Sequence, residues 1–529
     1  MNNGQQQLNN NNCSDANHST SAPKVSKTCA TPFDKDYDNI RDDENYYQEQ
    51  FDADDDDDCK LLCHNLLLRF PKPPYDVQKK IVERIIYSLN QKKNILIESP
   101  TGTGKTLSLL CSTLAWLRSA KVQNNWPKPP KIIYATRTHS QISQLIGEIK
   151  KTAYSDMKIC FLASREQLCI NDRVMNREKK GSINSKCRNL VSSGKCIYKS
   201  NVGKENSGMD ETKLFDIEEL KIIGKQKSTC PYYYTREIAL QADLIFMPYN
   251  YILEKAIRQR LQIDFDCSII VFDEAHNVEK TCEDGFSLKI CGSDIALAMH
   301  EITDFANHLR INFDYFKNRP SISDSSDESS FKNSKSKNTA ANSGGNSVKS
   351  VDWTDVAAFK RVLCILEYHI KEMGIGCKNE FKTLKAQVLY DHVIGANFTQ
   401  DTAKNFFILD ECIKYHNSDL NSTLLKGFGS ERILNLFEFF HQGEFGSLDD
   451  YIVCAKNLSD DSLGTKDVEI NLWCLNPSIA MKSLADRNIL SMIFASGTLS
   501  PMENFVNSLQ LYFYFLCLIF ASPINIFVS

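Results

Sequence analysis

Residues 1–30 are rich in Asn, Gln and Ser and hold no apolar core, so no secretory signal is read there. Without a secretory route, disulfides are not expected of the 19 cysteines. Metal or cluster ligation is then the better use of any that are organised. No internal repeat is visible, and no convincing basic import run. The one uncharged stretch of length, Leu511 to Ser529, is interrupted by Pro523 and Asn525. A membrane helix needs about 20 apolar residues, so no membrane span is expected.

With 529 residues, 42% of them hydrophobic and 24% charged, the chain has the composition of a soluble globular protein with room for two or more domains. The net charge of −4 is unevenly spread. Thirteen acidic residues lie between Asp34 and Asp58, against Lys35 and Arg41, which leaves the rest of the chain at about +7. A basic body behind an acidic tail fits a polyanion-binding protein.

Polar and then acidic, residues 1–60 are read as a disordered tail. The short apolar runs NILIE (Asn94–Glu98), KIIYA (Lys131–Ala135), LIFM (Leu244–Met247) and SIIVF (Ser268–Phe272) alternate with helical stretches. That pattern predicts an α/β fold with a buried parallel sheet. Residues 321–350 hold eleven serines and no apolar periodicity, and are read as a flexible linker. From Val351 to about Phe440, apolar residues recur at helical spacing. EINLWCL (Glu469–Leu475) and LSMIFA (Leu490–Ala495) then return to a strand pattern.

SPTGTGKT, from Ser99 through Pro100, Thr101, Gly102, Thr103 and Gly104 to Lys105 and Thr106, follows a strand and opens a helix. This is the context of a phosphate-binding loop, although Ser99 stands where the usual pattern begins with Gly. The glycines let backbone N–H groups approach phosphates at a helix N-terminus. Lys105 would reach the β- and γ-phosphates, and the Thr106 hydroxyl would ligate Mg²⁺. FDEAHN (Phe272–Asn277) ends another strand: Asp273 would hold Mg²⁺, Glu274 would orient and deprotonate a water, and His276 would link the site to a neighbouring element. Together they predict an ATPase.

Eight blocks in order then resemble the XPD-like iron–sulfur DNA helicases of superfamily 2. They are FPKPPYDVQ (Phe70–Gln78), ESPTGTGKT (Glu98–Thr106), IIYATRTHSQ (Ile132–Gln141), LASREQLCI (Leu162–Ile170), CPYY (Cys230–Tyr233), ADLIFMPYNY (Ala242–Tyr251), VFDEAHNVEK (Val271–Lys280) and ASGTLSP (Ala495–Pro501). The regulator-of-telomere-elongation type is nearest in look, with the Fanconi anaemia J type next. The resemblance implies a RecA-like ATP-binding domain over 61–284 with a 4Fe–4S insertion at about 160–235. A mainly helical arch over 285–468 would follow, then the end of the first domain over 469–510 and a non-family tail over 511–529.

It also implies roles. Gln78 would recognise adenine, with Lys72 standing where an aromatic is usual. Thr136, Arg137, Thr138 and His139 would line the DNA track, and Ser496, Gly497 and Thr498 would couple nucleotide state to DNA grip. Cys169, Cys187, Cys196 and Cys230 would hold the cluster, with Arg165 beside it or the DNA backbone. Their spacing, C-x17-C-x8-C-x33-C, is not a compact metal signature, and zinc in the same thiolates stays open. Cys160 reads as a buried strand residue. Arg173, Arg177, Lys179, Lys180, Lys186 and Arg188 would contact phosphates or form a solvated surface.

The family continues into a second RecA-like domain bearing an arginine finger in a Q-x-x-G-R-x-x-R pattern, and this sequence has no Gly-Arg dipeptide. The expectation is therefore a chain cut short after the SGTLSP block, binding ATP and single-stranded or forked DNA in the nucleus with little unwinding. The alternative is a catalytically inert DNA-binding or regulatory fragment. No protein partner is implied.

Overall fold

The computed structural model describes residues 48–50, 59–123, 126, 128–176, 183–204, 213–311, 353–374, 381–395, 406, 409, 429–441, 446–460, 465–499, 501–511 and 515–518. The chain divides into Met1–Tyr46 and Tyr47–Ser529, and all of the described residues belong to the second unit. The linker read at 321–350, most of the acidic tail, and Arg177, Lys179 and Lys180 lie outside them.

An antiparallel ladder comes first: β1 (Gln48–Gln50), β2 (Cys59–Cys63) and β3 (Leu66–Phe70). Folded structure therefore reaches back into the stretch read as a tail to residue 60, because Leu61 and Cys63 on β2 and Leu68 and Phe70 on β3 are buried.

Seven parallel strands form the main sheet. In chain order they are β4 (Ile95–Glu98), β5 (Lys131–Thr136), β6 (Ile159–Phe161), β7 (Leu244–Pro248), β8 (Ser268–Asp273), β13 (Ser491–Ser496) and β14 (Phe515–Leu518); the strands numbered between belong to the insertion below. Their spatial order is β14-β4-β13-β8-β5-β7-β6. The strands read as continuous apolar runs because both faces are covered. Ile95, Ile97, Ile132, Tyr134, Val271 and Ile493 pack into one core, while Leu96, Ile133, Ile270, Phe272 and Phe494 pack into the other. Phe272 and Phe494 stack at 4.8 Å across the β8–β13 pair. Phe515–Leu518, inside the apolar tail, pairs parallel with Ile95–Glu98 as the edge strand. Among the described residues no helix is long and apolar enough to cross a membrane.

Between β8 and β13 the chain builds a separate unit with its own core. Its antiparallel sheet has the order β10 (Lys382–Lys385), β11 (Tyr451–Asp460), β12 (Thr465–Cys474) and β9 (Leu288–Cys291). The helices Gly292–Ile311, Trp353–Gly374, Ala386–Gly395 and Gly429–His441 accompany it. The strand read at Glu469–Leu475 thus belongs to this four-stranded antiparallel sheet: Ile470 pairs with Ile290, and Leu472 with Leu288. The unit extends past residue 468, where the sequence reading placed its end, because Ile470 and Leu472 supply its core.

Candidate active site

The order β4-β13-β8 brings three sequence blocks to one edge. In register, Ser496 lies opposite Glu98, and Ala495 opposite Asp273. The carboxyl ends of parallel strands are where open α/β sheets bind ligands.

From β4 the chain turns through Ser99–Gly104 into the helix Lys105–Gln123. Gly102 (φ +84°) and Gly104 (φ +76°) hold left-handed backbone that side-chain-bearing residues avoid. Ser99 is fully buried, its hydroxyl 2.8 Å from the Thr103 hydroxyl. In place of the usual first glycine it anchors the loop, its N–H donating to Ser496 O at 3.0 Å. Lys105 is buried and donates from Nζ to the carbonyls of Ser99 (2.6 Å) and Pro100 (3.0 Å). Burial lowers its pKa, and the carboxylates of Glu274 and Asp273 oppose that shift. Gln78 donates from Nε2 to Gly104 O at 3.2 Å, joining the FPKPPYDVQ block to the loop.

Asp273 ends β8, buried, and its carboxyl pKa is raised, chiefly by desolvation. One carboxylate oxygen accepts from Glu274 N at 3.0 Å, the other from Tyr134 OH at 2.9 Å. Tyr249 OH donates to the Asp273 carbonyl. Glu274 itself is left-handed (φ +59°), a strained conformation of the kind found at functional sites. His276 Nδ1 lies 2.7 Å from Ser496 Oγ and 3.5 Å from a Glu274 carboxylate oxygen, and Asn277 Nδ2 sits 2.8 Å from its Nε2. Thr498 N donates to Ser496 Oγ at 3.4 Å. A side chain at Gly497 would stand 3.7 Å from Lys105 Nζ, so that block borders the loop directly.

Thr136, Arg137, Thr138 and His139 form the turn from β5 to the helix His139–Ile149. Thr138 caps that helix, and Gln141 Oε1 accepts from the N–H groups of both Thr138 (2.9 Å) and Arg137 (3.1 Å). This holds the loop while Arg137 and Thr138 remain exposed; Thr136 is buried and His139 half-buried. His139 Nδ1 is buried without a hydrogen-bond partner, and burial lowers the ring's pKa.

The four predicted cysteines gather on short helices. Cys169 follows Arg165–Leu168, Cys187 lies within Ile183–Ser192, Cys196 precedes Ile197–Ser200, and Cys230 precedes Pro231–Ala239. All are free thiols; Cys187, Cys196 and Cys230 are buried. Burial raises the thiol pKa of Cys187, and that of Cys169 to about 11 and of Cys230 to about 12, and Cys230 also feels Cys169 and Cys187. N–H groups of Asn171 (to Cys169), of Tyr232 and Tyr233 (to Cys230) and of Arg165 (to Cys187) point at sulfur, as does Asn171 Nδ2 toward Cys196 at 3.6 Å. Donors on every sulfur are of the kind that would suit thiolate ligands of a cluster or a zinc ion. Even so, among the described residues no group of three or more His, Cys, Asp or Glu side chains is disposed to hold a metal ion. Arg165 stacks on Tyr232, 4.3 Å from its ring centre, and Arg236 and Lys199 sit over Tyr232 and Tyr233 at 4.6 and 4.8 Å.

The DEAD_2 family model matches residues 134–295. The regulator of telomere elongation helicase 1 homolog of Drosophila erecta is 30% identical over 518 residues, covering 85% of this chain and 50% of that protein. The Drosophila virilis homolog is 31% identical over 516 residues, covering 84% and 48%. The chain thus carries a DEAD_2 segment and is similar, over most of its own length, to these telomere-elongation helicases. It spans about half the length of these curated relatives. Among solved structures, an XPD helicase superposes with a TM-score of 0.48 at 18% identity, covering 85% of this chain and 62% of that one.

Sequence reasoning gave no role to Tyr134 and Tyr249, although both stand inside quoted blocks. Their signal was available only as tyrosines within otherwise apolar strand ends, and the strand order needed to aim them at Asp273 was not.

Proposed function

We propose that this chain binds ATP with Mg²⁺ and single-stranded DNA and supplies the ATP-binding half of a nuclear genome-maintenance helicase that moves 5′ to 3′, with little duplex unwinding of its own. The observation that carries this reading is the meeting of Lys105, Asp273, Glu274 and the His276–Ser496 pair at the carboxyl edge of β4, β13 and β8.

In this reading the loop Ser99–Thr106 receives the phosphates. The two carbonyls now held by the Lys105 ammonium are neutral, and a phosphate, being charged, competes for it successfully. Thr106 and Asp273 hold Mg²⁺, and Gln78, bonded to Gly104 O, borders the loop where it would read adenine. Glu274 accepts a proton from the attacking water. The His276–Ser496 contact makes the acid block and the SGTLSP block move together. Arg137 and Thr138, exposed beyond β5, receive the DNA backbone, and Arg165 does so beside the cysteines. The thiolates of Cys169, Cys187, Cys196 and Cys230 would hold a 4Fe–4S cluster, whose bonds tie several short helices into one body. The deciding test is Lys105→Ala, expected to abolish ATP hydrolysis while sparing single-stranded DNA binding. Unchanged turnover would refute the assigned site.

A further inference from the structure

We infer that Tyr134 is a positioning residue for the Asp273 carboxylate and that, with Tyr249, it fastens the DNA-facing turn to the acid that would hold Mg²⁺. The inference rests on the ATP-site reading above and goes beyond it, since Tyr134 is fully buried and reaches the site only through Asp273.

Tyr134 lies on β5, whose residues Tyr134 and Ala135 pair with Val271 and Phe272 of β8. It is fully buried, and its ring meets Phe246 edge-on at 5.6 Å. Its hydroxyl donates to one Asp273 oxygen at 2.9 Å while Glu274 N donates to the other at 3.0 Å. The carboxylate is thus held at both oxygens, one by backbone and one by this single side chain. A free carboxylate on a strand end rotates about its last bond; with both oxygens engaged, its remaining lone pairs keep one direction. Groups that orient a metal ligand in this way typically matter about 10- to 100-fold in metal affinity.

The same two strands are joined a second time. Tyr249 donates its hydroxyl to the Asp273 carbonyl, and its N–H donates to Thr136 O at 3.0 Å. Thr136 opens the turn that presents Arg137. A displacement of that turn therefore reaches Asp273 by two routes, along β5 to Tyr134 and through Tyr249.

The test is Tyr134→Phe, which deletes one oxygen and keeps the ring packed on Phe246. Affinity for a fluorescent ADP analogue is measured in EDTA and across a Mg²⁺ titration. The expected result is unchanged affinity in EDTA and a Mg²⁺ midpoint raised about tenfold or more. A midpoint within twofold of wild type overturns the inference. Failure of the wild-type chain to bind the nucleotide at all would instead sink the ATP-site reading. If Tyr134→Phe does not fold, 4-aminophenylalanine at position 134 keeps a donor for Asp273 and must restore both folding and the wild-type midpoint. If it does not, the positioning role is wrong.

Discussion

Replacing Gly104 by alanine should cost more than replacing Gly102, although both sit in one loop with nearly the same backbone. At φ +84° and +76°, each alanine would carry the left-handed penalty of about 1–2 kcal/mol. The two sites differ in what a Cβ would meet. At Gly102 nothing lies within 4 Å, whereas at Gly104 the Gln78 amide nitrogen would stand 2.2 Å away. Gln78 must then withdraw and give up its bond to Gly104 O, a further loss of about 0.5–1.5 kcal/mol. Gly104→Ala should therefore destabilise by about 1.5–3.5 kcal/mol and Gly102→Ala by about 1–2 kcal/mol. The unfolded-state gain of a Gly→Ala change applies to both and cancels in the comparison. Chemical denaturation of the nucleotide-free protein measures the pair. In a Gln78→Ala background the excess at Gly104 should vanish, because the obstructing side chain is gone. Equal costs at the two glycines, or an excess that survives Gln78→Ala, would refute the contact.

Two further outcomes follow from the cysteines and the turn after β5. Anaerobically purified protein should contain about four irons and four acid-labile sulfides per chain, lost in Cys169→Ser or Cys230→Ser; zinc in their place would assign the thiolates to the other metal. Arg137→Ala should weaken single-stranded DNA binding for all sequences alike and reduce the slope of log affinity against log salt by about 0.7, and an unchanged slope would remove Arg137 from the DNA track.

The main sheet was legible because its strands are buried on both faces. NILIE, KIIYA, LIFM and SIIVF leave no polar face to mistake, and the structure places all four side by side or one strand apart. EINLWCL was legible as a strand but not as to its sheet. Its alternation, with Ile470 and Leu472 buried and Trp473 46% exposed, marks a sheet open to solvent on one side, unlike the continuous run of β13. The loop Ser99–Gly104 and the DEAH block stood out in the sequence because each follows a strand directly. Spacing told nothing of the cysteines' proximity, since helices such as Ile183–Ser192, which carries the second of them, and Ile217–Gln226, between the third and fourth, decide how the chain doubles back. Strand order was equally out of reach: that a strand some 220 residues after DEAH inserts between it and the phosphate loop depends on a crossover that no local pattern encodes.

That crossover has a mechanical consequence. The chain leaves the site edge of the sheet at Asp273 and re-enters at the opposite end of β13, at Ser491, so the inserted unit is spliced into a parallel β-helix-β connection. Its two roots are tied together, since Cys474 N donates to Ser287 Oγ at 2.9 Å and the helices Val278–Gly285 and Ser478–Ala485 pack on each other. Only one root touches the site: Val278–Gly285 follows immediately on Asn277, whose amide meets His276, and the other root arrives at the far end of β13. A torque on the insertion therefore reaches the carboxyl edge first through one short helix and the left-handed Glu274. Glu274 would feel such a load before Lys105, whose loop is braced on the opposite side by Gln78 and Ser496.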